Sequence, residues 1–365
     1  MKNYEIEQAR KKIQEIDGEM ADLFCSRMDA VKVISEYKKQ HGLPVKESEA
    51  EEAAVAELSL RISDDAIRPY YVGFLRDTMK AAEAYQSMRL RGMRVAFSGI
   101  EGAFASIAAG KIFPTAERIP YNDFSAAYRA VELGECDVAV LPMENSTAGE
   151  VGQVTDLMFS GELFVTGIYD FSIHHHLLGL PGATVDGVRE VVSHPQALAQ
   201  CEAYIREHSF SQLQAGNTAM AAKQVADRND PTLAAIASEE TAELYGLEIL
   251  ARNINETAIN TTRFAVFSRA PALEGDGAGK HSILLFTVRH EAGFLAEALN
   301  VIGEYGYNMR CLRSRPMKSL LWQYYFYVEL EGDLTGENGQ RMLNALKPYC
   351  ERLKMLGCFR YPAEL

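Results

Sequence analysis

Basic charge is what this sequence has too little of: 37 lysines and arginines stand against 50 aspartates and glutamates, a formal net charge of −13 over 365 residues. A nucleic-acid or anionic-membrane partner would need a concentrated basic face, so neither is expected. Cysteine is sparse as well. Cys25, Cys136, Cys201, Cys311, Cys350 and Cys358 are scattered, with no Cys-x-x-Cys pair and no cysteine–histidine cluster at zinc spacing, which suits idle thiols in a reducing cytosol. No window holds eighteen uninterrupted apolar residues, and Met1-Lys2-Asn3-Tyr4-Glu5 opens no signal-peptide core. A soluble, cytoplasmic protein is expected. His174-His175-His176 sits among Phe171, Ile173, Leu177 and Leu178; alternate residues of a strand face opposite ways, so these histidines are assigned a structural role rather than a metal.

What is present falls into three segments of different periodicity, and the length suggests two or three domains. Up to about residue 88 the pattern is helical only. Ile6, Ile13, Ile16, Met20, Leu23, Met28, Val31 and Ile34 recur at helical spacing with charged residues between them. This predicts one helix of roughly 35 residues, about 50 Å long at 1.5 Å per residue. Such a helix outruns the core of a small domain, so its apolar stripe is expected to pack against a second chain in a homodimer or higher homo-oligomer. His41-Gly42-Leu43-Pro44 ends it, and further helices are predicted at about 49 to 60 and 64 to 86.

From Arg94 to about Ser268, short apolar strands alternate with helices: Val95-Ala96-Phe97, Val138-Ala139-Val140-Leu141, Val191-Val192, Ala234-Ala235-Ile236-Ala237 and Phe264-Ala265-Val266-Phe267. An α/β domain with mainly parallel sheet is predicted, long enough for two lobes and a cleft. Residues 270–279 have linker composition. Beyond them the order is strand 282–288, helix 293–305, strands 308–315 and 321–331, helix 336–352 and strand 354–360, a ferredoxin-like βαββαβ unit. The domains are therefore drawn as 1–90, 93–269 and 280–365.

Within the middle domain, Ser193-His194-Pro195-Gln196-Ala197-Leu198-Ala199-Gln200 follows the apolar run at Val191-Val192. Ser193 is the expected N-cap of an Ala/Leu-rich helix, whose free N–H groups suit a carboxylate. Gln200 lies two turns on, near the same face. An ordinary capped helix accounts for Ser193 and Pro195 equally well. Glu144 and Asn145 follow Pro142 at the end of a strand, where open α/β sheets bind ligands.

The Ser193–Cys201 stretch and Asn260-Thr261-Thr262-Arg263-Phe264 resemble the substrate-site signatures of prephenate dehydratases. Five further segments agree in order: Gly99–Ala105, Asp137–Ser146, Asn217-Thr218-Ala219, Ala235–Ser238 and Tyr245-Gly246-Leu247. The resemblance implies a fold like that of type II periplasmic binding proteins, with Thr262 hydrogen-bonded to the departing hydroxyl of prephenate. It places Asn145, Ser193, Gln200 and Thr218 at the substrate. Glu144 is either a protonated acid there or a partner for backbone N–H groups, and Arg263 either clamps a carboxylate or pairs internally.

The helical segment resembles all-helical chorismate mutases. Arg10, Arg27 and Lys38 match the family's cationic positions, Glu47 and Glu51 its acidic ones, and Gln86 the glutamine at the ether oxygen. Arg27 and Lys38 share a helix face and Arg10 lies about 100° away, which fits Arg10 reaching a partner's site. Two matches fail: Ala50 replaces an arginine and Ala82 a serine. In the last segment Gly293-Phe294-Leu295 and Arg313-Ser314-Arg315-Pro316 stand where ACT regulatory domains of prephenate dehydratases carry Gly-Ala-Leu and Glu-Ser-Arg-Pro. The resemblance thus implies a multidomain enzyme turning chorismate into prephenate and prephenate into phenylpyruvate, with phenylalanine as effector and no metal or organic cofactor. The alternatives are a dehydratase with a merely dimerising helical segment, a preference for arogenate, or a non-catalytic small-acid sensor.

Overall fold

A computed structural model describes residues 2–45, 48–257, 259–272, 280–317, 323–360 and 363–365. The chain divides into two compact units, Met1–Met93 and Arg94–Leu365. The expected Glu47 lies outside the described residues, as does most of the predicted linker.

The first unit is helical: α1 (Lys2–His41), α2 (Ser48–Ser59) and α3 (Arg68–Arg91). Pro69 enters at the start of α3, where its missing N–H costs nothing, and Gly92 stops that helix at a φ of 84°. Only the second half of α1 is covered within the unit. Val31, Ser35 and Lys38 are buried along one stripe, whereas Ile6, Ile13, Ile16, Met20, Leu23 and Phe24 remain exposed.

The second unit begins with a lobe built from β1 (Arg94–Ser98), α4 (Phe104–Ile112), β2 (Glu117–Tyr121), α5 (Phe124–Glu132), β3 (Val138–Asn145), β4 (Gly149–Glu150), α6 (Gly152–Ser160) and β5 (Phe164–Ser172). The chain then crosses to a second lobe of β6 (His176–Gly179), β7 (Glu190–Ser193), α7 (Pro195–Gln200), α8 (Glu202–Glu207), β8 (Ser211–Gln214), α9 (Thr218–Arg228), β9 (Leu233–Ala237), α10 (Glu239–Tyr245) and β10 (Glu248–Ala251). It returns through β11 (Thr261–Ser268). The described strands pair as β5-β11-β3-β1-β2 in the first lobe, with the C-terminal strand Ala363–Glu364 added beside β5, and as β10-β6-β9-β7-β8 in the second. The predicted strands are present, but the sheets are mixed rather than mainly parallel. β11 re-enters from the cleft side and so runs antiparallel to both β3 and β5.

The remainder is β12 (Lys280–Val288), α11 (Phe294–Glu304), β13 (Asn308–Pro316), β14 (Tyr324–Glu331), α12 (Glu337–Leu346), β15 (Cys350–Arg360) and β16 (Ala363–Glu364). The βαββαβ order forms an antiparallel sheet β13-β14-β12-β15. The helix predicted over 336–352 ends at Leu346: Lys347 still has helical φ/ψ, but Pro348 offers no N–H to continue the ladder. This sheet is buried on both faces. Leu284, Phe286, Val328 and Leu330 pack under α11 and α12, while Ile283, Leu285, Tyr325 and Tyr327 join the core of the first lobe. The two layers meet closely at Gly357, where a Cβ would fall 2.0 Å from the Val165 carbonyl oxygen. Glycine is required there by proximity alone.

Candidate active site

Between the two lobes lies a cavity of about 420 Å³. The first lobe contributes Gly99, Phe104, Asn122, Pro142 and Asn145, the second contributes His175, His194, Gln196, Gln200, Asn217 and Thr218, and the crossing strand β11 adds Thr262 and Phe264. The C-terminal ends of β1 and β3 open onto it, the usual place for a ligand in such sheets. Among its described lining residues none carries a formal charge. An anion placed there would meet amides, hydroxyls and the first turns of α4 and α9. Asn217 caps α9 by accepting from the Met220 N–H, so the expected helix N-terminus at Thr218 is present.

Four side chains close a hydrogen-bonded ring across the cleft. Gln200 Nε2 donates to Thr147 Oγ1 at 2.6 Å, and Thr147 Oγ1 donates to Asn145 Oδ1 at 2.6 Å. Asn145 Nδ2 donates to Asn260 Oδ1 at 2.8 Å, and Asn260 Nδ2 returns to Gln200 Oε1 at 3.0 Å. Asn145 Nδ2 also donates to Thr262 Oγ1 at 3.0 Å. The Thr262 oxygen is thereby an acceptor within the protein, which leaves its own proton for a group in the cavity.

His175 stands at 2.8 Å from Gln200 Oε1 through Nε2. A carbonyl oxygen only accepts, so the proton is on Nε2 and Nδ1 carries the lone pair. Burial drives its pKa down to about 4, so the ring is neutral at physiological pH. Its pattern in sequence is that of a core histidine, yet it lines the cavity; for His175, and for Thr147 and Asn260 of the ring beside it, spacing gave no reason to assign roles.

Not every expected residue reaches the cavity. Ser193 ends β7 fully buried, with Oγ donating to the Ile236 carbonyl at 2.6 Å. The helix after it is capped instead by His194, which accepts from the Gln196 N–H, and it stops at Gln200 rather than continuing. Glu144 turns away from the cavity and accepts from Arg313 Nη2 at 2.5 Å. Of the two roles open to Arg263, the geometry has the internal one. Its guanidinium pairs with Asp170 at 3.2 Å and with the buried Glu329 at 3.3 Å.

In the helical unit Lys38 is buried, with Nζ donating to the Val45 carbonyl at 2.6 Å, and Arg27 Nη1 lies 3.5 Å from the Thr78 carbonyl. Gln86 is buried, and its Oε1 has no partner among the described residues. Glu51 is half-buried on α2. Arg10 is exposed on the uncovered half of α1, remote from the stripe that carries Lys38.

In the C-terminal sheet Gly293 precedes α11 at a φ of 92°. Phe294 meets Tyr349 edge-on at 6.4 Å and lies under the Arg289 guanidinium, and Leu295 is half-buried behind it. On β13, Arg313 and Arg315 face the first lobe, while Ser314 and Pro316 are exposed.

Comparison with known proteins bears on both units. Residues 95–272 match the family model of prephenate dehydratase, and residues 9–87 match that of chorismate mutase type II. An arogenate dehydratase/prephenate dehydratase of Arabidopsis thaliana is 34% identical over 73% of this chain and 72% of its own. A bifunctional chorismate mutase/prephenate dehydratase of Enterobacter agglomerans is 29% identical over 97% of this chain and 95% of its own. Among solved structures, a prephenate dehydratase of Arthrobacter aurescens in complex with L-Phe superposes with a TM-score of 0.68 at 28% identity, covering 74% of this chain and 92% of that one. A protein described as a quorum quenching acylase superposes equally well, with a TM-score of 0.68 at 33% identity over 73% of this chain and 97% of that one.

Proposed function

The chain belongs to the prephenate dehydratase family and carries a chorismate mutase domain ahead of the dehydratase domain, and we propose how its residues divide the two reactions of phenylalanine biosynthesis. It rearranges chorismate to prephenate and converts prephenate to phenylpyruvate.

In the dehydratase step the bond to the ring carboxylate breaks, its electrons enter the ring, the carbon–oxygen bond to the ring hydroxyl breaks, and hydroxide leaves with a proton as water. Aromatisation drives the step, and the protein must help hydroxide depart. Thr262 does so in this reading. Its oxygen accepts from Asn145, so its proton points to the departing oxygen, and the threonine orients or relays rather than acting as a strong acid. The absence of charged groups among the described lining residues fits a site that holds carboxylates by dipoles: Gln200 and Thr218 line it beside the N-terminus of α9. The hydrogen bond from Asn145 to Thr262 is the observation that carries this assignment.

In the mutase step no nucleophile is needed, only groups that hold the compact conformer and favour charge on the ether oxygen. Arg27, Lys38, Glu51 and Gln86 supply the site from one chain, and the exposed Arg10 completes it on a second copy docked along the uncovered half of α1. The C-terminal sheet is read as an ACT domain that senses phenylalanine, and the assembly as a cytoplasmic homodimer or larger homo-oligomer.

The test is to supply chorismate alone and follow chorismate, prephenate and phenylpyruvate against an enzyme-free control. Phenylpyruvate formed above the control supports both steps. Persistent chorismate with added prephenate still consumed leaves a dehydratase whose helices only dimerise. Parallel assays with arogenate fix the substrate preference.

A further inference from the structure

We propose, resting on the dehydratase reading, that Arg313 of the C-terminal sheet is a positioning residue for the dehydratase site and acts through Glu144. Glu144 and Asn145 are neighbours on β3, and across the β3–β4 hairpin Glu144 stands directly opposite Glu150. Like charges facing each other on paired strands are destabilising. Here both are neutralised from one strand of another domain. Arg313 Nη2 donates to Glu144 Oε1 at 2.5 Å, and Arg315 Nη1 to Glu150 Oε2 at 3.4 Å.

Two residues apart on β13, the arginines project from the same face. Arg315 is anchored further by Asp156 Oδ1, at 3.0 Å from Nε. It fills the space where a Cβ on Gly152 would come within 2.3 Å of its Nη1. The hairpin so clamped carries at its tip Thr147, whose hydroxyl joins Gln200 to Asn145. Its base is thus held by the C-terminal sheet and its tip by the second lobe. Removing Arg313 takes the hydrogen-bonded counter-ion from Glu144 and leaves it opposite Glu150 with only the weaker field of Arg263, its partner on β11, and relaxation of Glu144 moves the adjacent Asn145, the group that orients Thr262. The resemblance noted from sequence would place glutamate at position 313; a carboxylate there would confront Glu144 instead of holding it.

The experiment compares wild type, Arg313→Ala, Glu144→Gln and the double variant, with kcat and KM measured on prephenate and mutase turnover in the same samples as the control for folding. Arg313→Ala is expected to lower dehydratase kcat about tenfold or more while mutase turnover is unchanged, since small misplacements of catalytic groups cost that much. The double variant should be no slower than Glu144→Gln alone, and Arg313→Lys should recover part of the loss. If the alanine variant does not fold, Arg313→Met keeps the aliphatic stem and replaces it. Wild-type kcat in the Arg313 variant, or losses that multiply in the double variant, would overturn the proposal. A wild-type protein inert towards prephenate would instead sink the dehydratase reading beneath it.

Discussion

Asn145 Nδ2 stands 3.0 Å from Thr262 Oγ1 and donates to it, while the two residues are also cross-strand partners on β3 and β11. Backbone register and side-chain hydrogen bond therefore fix the same pair twice. The Thr262 oxygen is held by its neighbour, so the side chain does not sample its rotamers freely.

Thr262→Val keeps the shape of the side chain and removes the hydroxyl. Dehydratase kcat should fall by about 100-fold or more, in the range of lost proton-transfer assistance, with KM shifted only a few-fold and mutase turnover untouched. Thr262→Ser should retain far more. Steady-state kinetics on prephenate check this, and undiminished turnover in the valine variant would remove Thr262 from the mechanism.

The buried, neutral His175 links stability to pH. Its folded pKa of about 4 lies below the ordinary value of 6.5, so the unfolded chain binds the proton more readily in that window. The contribution is fully present above about pH 6.5 and is lost as pH falls towards 4, by about 3 kcal/mol for this one group. His176 and His194 are shifted down by burial as well and add to the same trend. Urea unfolding at pH 7.5 and 4.5 should show the loss, and His175→Gln should flatten it. An identical slope in the variant would contradict the assignment.

Exposed apolar groups on α1 predict assembly. Leu23 is 70% exposed and Ile13 57% exposed in the single chain, too much apolar area on one stripe for a helix left in water. Leu23→Glu should shift the sedimentation coefficient to a smaller species and lower mutase turnover, with prephenate still consumed. A variant that sediments as wild type would show that another surface holds the copies together.

At Gly357 the prediction concerns packing. Gly357→Ala drives a methyl group into the Val165 carbonyl, and overpacking of this kind costs about 1–3 kcal/mol or more. Calorimetry should record a lower thermal midpoint. Midpoints equal to wild type would mean that β15 and β5 separate without penalty.

Much of this architecture was legible in the sequence. Val95-Ala96-Phe97 and Ala234–Ala237 are continuous apolar runs because both faces of their strands are covered, and such runs announce themselves. The turn at Ser193 did not, since a serine before a proline has the local chemistry of an N-cap. Sheet pairing decided otherwise: Ser193 is the last partner of Gln214 and Val192 of Leu213 on β8, and the cap passes to His194. His175 was hidden for a related reason, because an apolar flank says that a residue is buried but not that a cavity lies behind it. Arg313 was visible as a reversed charge, yet its partner Glu144 is 169 residues away, and only the packing of β13 on the first lobe gives the reversal a meaning.

A cleft whose described lining carries no formal charge has a consequence for how its ligand arrives. Binding an anion there displaces no counter-ions, and the dipoles that receive it are too short-ranged to be weakened by a salt atmosphere whose screening length is about 8 Å at physiological ionic strength. The protein as a whole is anionic, at −13, so the long-range field opposes the approach of a dianion, and added electrolyte can only relax that opposition. The Michaelis constant for prephenate should therefore stay level or fall as sodium chloride is raised, the reverse of what a pocket built on arginine clamps would give.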